Sequence, residues 1–195
     1  MGEINDLLSS LRGVDDRTAI CVTQIFGWQN YGSSPDFREP PAAAKRAMAL
    51  GAFALGCRGV VLYSYYDLFL TFSAPNTPFP NRTRAPDEVI ARRLMDLKLL
   101  GQEVKALEEV LLGEVADASK LVSAPPDGVV VGMRCPRKSA GRLDGDGAGD
   151  GSCTLFVCNM TPRPQVVEVA DAAAVRLGPF DVTILTVQRQ GLGAH

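Results

Sequence analysis

Two kinds of apolar patterning divide the chain, and the change falls near residue 115. Before it lie two short runs rich in β-branched and aromatic residues. The first reads Thr-Ala-Ile-Cys-Val-Thr-Gln-Ile-Phe-Gly-Trp from Thr18 to Trp28, and the second reads Arg-Gly-Val-Val-Leu-Tyr-Ser-Tyr-Tyr-Asp from Arg58 to Asp67. Runs of this kind fit strands of a parallel sheet buried on both faces. They predict a first strand over 18–26 and a second over 59–66. The Ala-rich segment between them opens at Pro40 or Pro41, carries Ala44, Met48, Gly51 and Leu55 at helical spacing, and stops at Gly56. The order is strand, helix, strand. It occurs once, and one such unit cannot bury its own sheet, so the pattern reads as the closing part of a larger barrel.

Residues 3–12 carry Ile4, Leu7, Leu8 and Leu11 on one helical face. A loop is expected over 67–84. A long helix is predicted to begin at Pro86, with Asp87 and Glu88 in the first turn, where the helix dipole favours acids. Its expected buried stripe is Ile90, Leu94, Leu97, Val104, Leu107 and Leu111, with Gly101 at the missing step and Gly113 as the stop. Beyond residue 115 the periodicity becomes that of short strands, over 115–122, 128–134, 153–159, 164–170 and 181–188. Pro125-Pro126-Asp127-Gly128 and Leu177-Gly178-Pro179 are turn signals between them. The expected fold class is α/β plus all-β. Residues 1–114 would be the last two β/α units of a (β/α)8 barrel. Residues 115–190 would be a small antiparallel β-sandwich with a flexible Gly/Asp loop at 139–152.

Composition narrows the functions open to the chain. Its 195 residues are 46% hydrophobic and 22% charged, with a net charge of −2, which gives no overall pull toward nucleic acid or an anionic membrane. No apolar run approaches the roughly 18 residues that suggest a membrane-spanning helix. Five cysteines stand at 21, 57, 135, 153 and 158, without C-x-x-C spacing. They read as small apolar side chains with free thiols rather than as a disulfide framework or metal site. Cys153 and Cys158, five apart, would point to opposite faces of one strand. The single histidine, His195, leaves no internal imidazole for a Ser-His-Asp triad or a zinc site within this chain. The Asp/Gly run from Leu143 to Ser152 fails as a calcium loop, since counting from Asp144 puts Ala148 at position 5 and Leu155 at position 12. No metal and no cofactor are expected.

Three stretches carry a resemblance: Gln24-Ile-Phe-Gly-Trp28, the helix after the prolines, and Gly56-Cys-Arg-Gly-Val-Val-Leu-Tyr-Ser-Tyr-Tyr66. Together they resemble the last two β/α units of glycoside hydrolase (β/α)8 barrels, of the β-galactosidase-like and related kinds with a β-sandwich after the barrel. Leu155–Thr161 and Leu177–Leu185 look like strands of that C-terminal domain. The resemblance implies carbohydrate-active ancestry and that the barrel strands preceding residue 18 are missing. One departure matters: the strand that would carry a catalytic glutamate ends in Gln24. Glycoside hydrolysis needs two carboxylates flanking the bond. The strand ends here offer at best one, Asp67.

The candidate site residues therefore lie at the strand ends, where barrels place their chemistry. Gln24, Trp28, Tyr63 and Tyr65 are candidates for substrate binding, and Asp67 is a weak catalytic candidate. Trp28 is the single tryptophan and follows the strand through Gly27. An indole face stacks on a sugar, and an amide hydrogen-bonds its hydroxyls. The same aromatics equally suit core or rim packing, and Asp67 equally suits a loop cap. By strand parity Tyr63, Tyr65 and Asp67 share one side. Asp36 and Glu39 read as solvated acids before a helix. Asn159-Met-Thr161 matches a glycosylation sequon but reads as a turn. The expected partner is a carbohydrate substrate, with no nucleic acid, no membrane, and possible self-association through exposed strand edges. Two alternatives stand beside this reading: a non-catalytic structural or carbohydrate-binding module, and an inactive truncated gene product.

Overall fold

The computed structural model describes residues 19–25, 39–73, 81–136, 152–170 and 173–188. The expected helix at 3–12, Trp28, Asp36, the Gly/Asp loop over 139–151 and His195 lie outside these residues.

The strand–helix–strand unit forms as the apolar runs require. Strand β1 is Ile20–Gln24, helix α1 is Ala42–Ala54 and strand β2 is Gly59–Tyr63. The two strands pair in parallel, with Ile20 opposite Gly59 and Gln24 opposite Tyr63. A short 3-10 helix, Tyr66–Phe69, leads into a hairpin of β3 (Leu70–Ser73) and β4 (Asn81–Arg84). Helix α2 is Asp87–Ala106, preceded by Pro86, and a single turn α3, Glu108–Leu111, follows it. The remaining strands are β5 (Glu114–Ala116), β6 (Val129–Cys135), β7 (Ser152–Asn159), β8 (Gln165–Val167), β9 (Val175–Leu177) and β10 (Val182–Gln188). Four of them make an antiparallel sheet in the order β10-β7-β6-β5, while β8 and β9 form a separate ribbon.

This four-stranded sheet is buried on two sides, and its alternation shows why. Met133, Cys135, Cys153, Leu155 and Val157 point toward Val167, Val175 and Leu177 of the β8–β9 ribbon. Phe156, Cys158 and Val182 point the other way and pack on Ala47, Leu50, Phe53 and Ala54 of α1. Cys153 and Cys158 thus face opposite sides of β7, as parity predicts. Helix α1 is held between this sheet and β1–β2, so it is buried nearly all round. That is the reason for its alanines: a backbone clasped between two sheets leaves little room for side chains.

The closest approach is at Gly132 of β6, where a Cβ would overlap the carbonyl oxygen of Ala54. Beside it the fully buried Arg134 caps the end of α1. Its Nε and Nη2 donate to Phe53 O at 3.2 and 2.7 Å, Nη2 also to Cys57 O at 3.1 Å, and Nη1 to Gly113 O at 3.1 Å. Burial, aided by the neighbouring charge of Arg58, pulls its pKa down to about 10, so it remains charged at neutral pH.

Two sequence expectations are corrected, at the cysteines and on α2. Cys21–Cys57 and Cys135–Cys153 are disulfides, and only Cys158 is free, buried. Sequence separations of 36 and 18 carry no sign of this: Cys135 and Cys153 meet through the β6–β7 register, and Cys57, in the turn after α1, returns beside Cys21 of β1. On α2 the inward positions include Ile90, Arg93, Leu97, Leu100, Glu103 and Val104; Leu107 follows at its C-terminal end and Leu111 on α3. Leu94 is exposed, and Leu100, rather than Gly101, continues the stripe. Asn159, read from the sequence as a turn residue, is buried at the end of β7 with its amide engaged.

Candidate functional site

Parallel pairing brings the two strand-end candidates together. Gln24 and Tyr63 are register partners at the C-terminal ends of β1 and β2. Cys21 and Thr23 turn toward the helix side, where Cys21 packs with Cys57 and Val60. Ile20, Val22, Val61 and Tyr63 therefore share the opposite face with Gln24, and all four apolar members are exposed. An apolar, open sheet face thus ends in an amide and a phenol side by side.

Beyond Tyr63 the backbone leaves the strand, and parity no longer applies. Tyr65 and Tyr66 are exposed, at 71% and 63%. Tyr65 meets the ring of Phe69 edge-on, with centroids 5.1 Å apart. Asp67 turns inward: it is only 6% exposed, and its Oδ2 accepts a hydrogen bond from the Ser64 hydroxyl. Its Oδ1 is buried without a hydrogen-bond partner among the described residues. The structure therefore separates Asp67 from Tyr63 and Tyr65, because a 3-10 turn replaces the extended chain that would have aligned them.

Two residues of this edge are not apparent from pattern reading. Tyr66 opens the 3-10 turn beside Tyr65 and is likewise exposed. Glu39, expected to be solvated, bridges Arg93 and Lys45: Arg93 Nη2 donates to Oε2 at 2.6 Å and Lys45 Nζ to Oε1 at 3.0 Å. Burial pushes the Glu39 carboxyl up, and the hydrogen bonds from Arg93 and Lys45 outweigh it, so its pKa lies below the ordinary value. The signal lay in charges at inward helical positions, Lys45 on α1 and Arg93 on α2, since buried charges demand partners.

Among the described residues, no group of three or more His, Cys, Asp or Glu side chains could hold a metal ion. None of the described helices is long and apolar enough to cross a membrane. What the edge does offer is flat aromatic faces beside an amide, with Asp67 buried behind them.

The described fold is a mixed one, a parallel strand–helix–strand unit packed on an antiparallel sheet. It is similar to part of the crystal structure of an α-amylase from Geobacillus thermoleovorans complexed with acarbose, with a TM-score of 0.51 and 14% sequence identity. The match covers 94% of this chain and 42% of that one, so the chain spans less than half the length of that amylase. No family model matches the chain. No curated protein sequence matches it either.

Proposed function

We propose that the chain is part of a glycoside hydrolase-like protein in which it supplies sugar-positioning residues rather than the acid and the nucleophile. In this reading β1, α1 and β2 belong to a (β/α)8 barrel, and the antiparallel strands belong to the β-sandwich that follows it. The observation that carries the reading is the register pair Gln24–Tyr63, set at the C-terminal ends of adjacent parallel strands with Tyr65 and Tyr66 beyond it. In barrels that end is where ligands bind. The amide would hydrogen-bond ring hydroxyls, and the phenol faces would stack on sugar C–H groups. The buried Asp67 fits a positioning role better than proton transfer. The likeness to an acarbose-bound α-amylase suggests an α-linked glucan as the first sugar to try.

The test is titration of the full chain with acarbose and maltooligosaccharides, read by the fluorescence of its one tryptophan and by tyrosine side-chain NMR. Binding on the order of 1 mM is expected for so open an edge. Gln24→Ala and Tyr63→Ala should each weaken it several-fold, while hydrolysis of aryl glycosides by the chain stays at background. Turnover that disappears in Asp67→Asn would overturn the positioning role. Unchanged titrations in both alanine variants would return Gln24 and Tyr63 to simple packing.

A further inference from the structure

Arg93 stands on the second turn of α2, and its guanidinium reaches in two directions at once. Nη1 donates to the carbonyls of Asp67, Leu68 and Leu70 at 3.3, 3.0 and 2.8 Å. Nε and Nη2 donate to Glu39 Oε2 at 3.0 and 2.6 Å. Lys45 holds the other oxygen of Glu39 and stands 3.7 Å from Asp96 Oδ2. The arginine side chain is 12% exposed and the lysine 3%. One planar cation thus joins the segment that enters α1 to the turn that leaves β2. Both lie at the C-terminal side of the β1–β2 sheet, the side where Gln24 and Tyr63 end their strands. A guanidinium suits this task because its donors are fixed in a fork. An ammonium of similar reach has no such geometry.

The choice of acceptors says what is being held. Three are backbone carbonyls: those of Asp67 and Leu68 in the 3-10 turn Tyr66–Phe69, a short element with little internal hydrogen bonding to hold it, and that of Leu70 where β3 begins. A turn that carries exposed aromatics binds a ligand more tightly if it is ordered beforehand, since less conformational freedom is lost on binding.

We propose that Arg93 is a positioning residue for carbohydrate: it locks the Tyr65–Tyr66 turn to the start of α1 and so fixes the aromatics at a set distance from the Gln24–Tyr63 pair. The role rests on the carbohydrate reading above and adds to it a residue that touches no sugar. Glu39 is its anchor, held in turn by Lys45.

Arg93→Lys and Glu39→Gln test it together, with Arg93→Met as the more severe variant. Amide exchange at Asp67 and Leu68, whose N–H groups bond Ser64 O and Tyr65 O, reports the turn directly. Arg93→Lys and Glu39→Gln should both speed that exchange roughly tenfold while leaving the four-stranded sheet unchanged, and should weaken acarbose binding by about the same factor. Unchanged exchange in both variants overturns the clamp. Faster exchange with wild-type acarbose affinity also overturns the positioning role, leaving Arg93 a structural tie. If the wild-type chain does not titrate with acarbose while the variants still loosen the turn, the carbohydrate reading fails and the role falls with it. Failure of the carbohydrate reading thus shows in the wild type, and failure of the clamp shows in the variants.

Discussion

At Asn159 the carboxamide is used from both ends. Nδ2 donates to Arg163 O and Gly178 O, each at 2.7 Å, while Oδ1 accepts from Thr161 N at 2.9 Å and Thr161 Oγ1 at 2.8 Å. The residue is fully buried at the end of β7, so water cannot replace these bonds. Asn159→Ala should therefore lower stability by roughly 2–4 kcal/mol, measured by urea unfolding, because it orphans several groups at once. Glu39 makes a pH prediction. Its folded pKa lies below the ordinary value of 4.5, chiefly because the Arg93 and Lys45 hydrogen bonds overcome the upward push of burial. The folded state then binds fewer protons at this site than the unfolded one. The stabilisation is complete above the ordinary pKa and is lost as pH falls through the lowered folded value. Asp96 is the other acid facing this cluster, and it pairs with Lys45 at 3.7 Å. Wild type should be more stable than Glu39→Gln near neutrality, and the two thermal-melt curves should converge in acid.

At the scale of elements, the docking of α1 on the sheet depends on one absent side chain and one buried cation. Gly132→Ala puts a methyl group into the Ala54 carbonyl, and the obstacle is backbone, which cannot swing aside. The helix must lift, stretching the Arg134 bonds to Phe53 and Cys57. The expected loss is about 1–3 kcal/mol. It would appear in differential scanning calorimetry as a lower Tm, with acarbose binding otherwise retained. This seam also shows what could be read from the chain beforehand. The strands β1 and β2 and the helix between them were legible because their apolar runs and Ala-rich spacing are local signals. The stripe of α2 was misplaced because two inward positions are charged, Arg93 and Glu103, the latter paired with Arg46 at 2.7 Å. A search for apolar spacing passes over such positions and takes Leu94 instead of Leu100. The side-by-side placement of Gln24 and Tyr63 at the strand ends was legible through their place in the runs. Asp67 was misjudged because a 3-10 turn breaks parity, and the Arg93 clamp was invisible because it joins residues far apart in sequence.

For the whole molecule, the halves on either side of residue 115 share a core. Leu50 and Phe53 of α1 lie in one cluster with Phe156 and Cys158 of β7. The β1–β2 sheet, by contrast, covers only its helix side. Its other face leaves Ile20, Val22 and Val61 exposed, at 61%, 67% and 48%. Among the described residues, each of these strands has one paired neighbour. Apolar strands with open edges template pairing with other chains. The chain is expected to associate as its concentration rises, seen by sedimentation velocity. Val22→Lys with Val61→Lys should reduce that association without lowering the melting temperature of the four-stranded sheet. A monodisperse monomer at high concentration would count against an uncovered apolar sheet face.

The free thiol of Cys158 gives this molecule a built-in clock. It lies under α1, where a Cβ on Gly51 would come within 3.9 Å of the Cys158 Cβ, and burial pushes its pKa up to about 12. With the other four cysteines in disulfides, it is the one thiol left to react with an alkylating reagent. Reaction needs the thiolate and access, and the closed seam denies both. The chain can be labelled only while helix and sheet stand apart, so the labelling rate without reductant counts those openings. Followed by mass spectrometry, this single modification would time the separation of α1 from the sheet in the unaltered protein. Gly132→Ala should make the clock run faster.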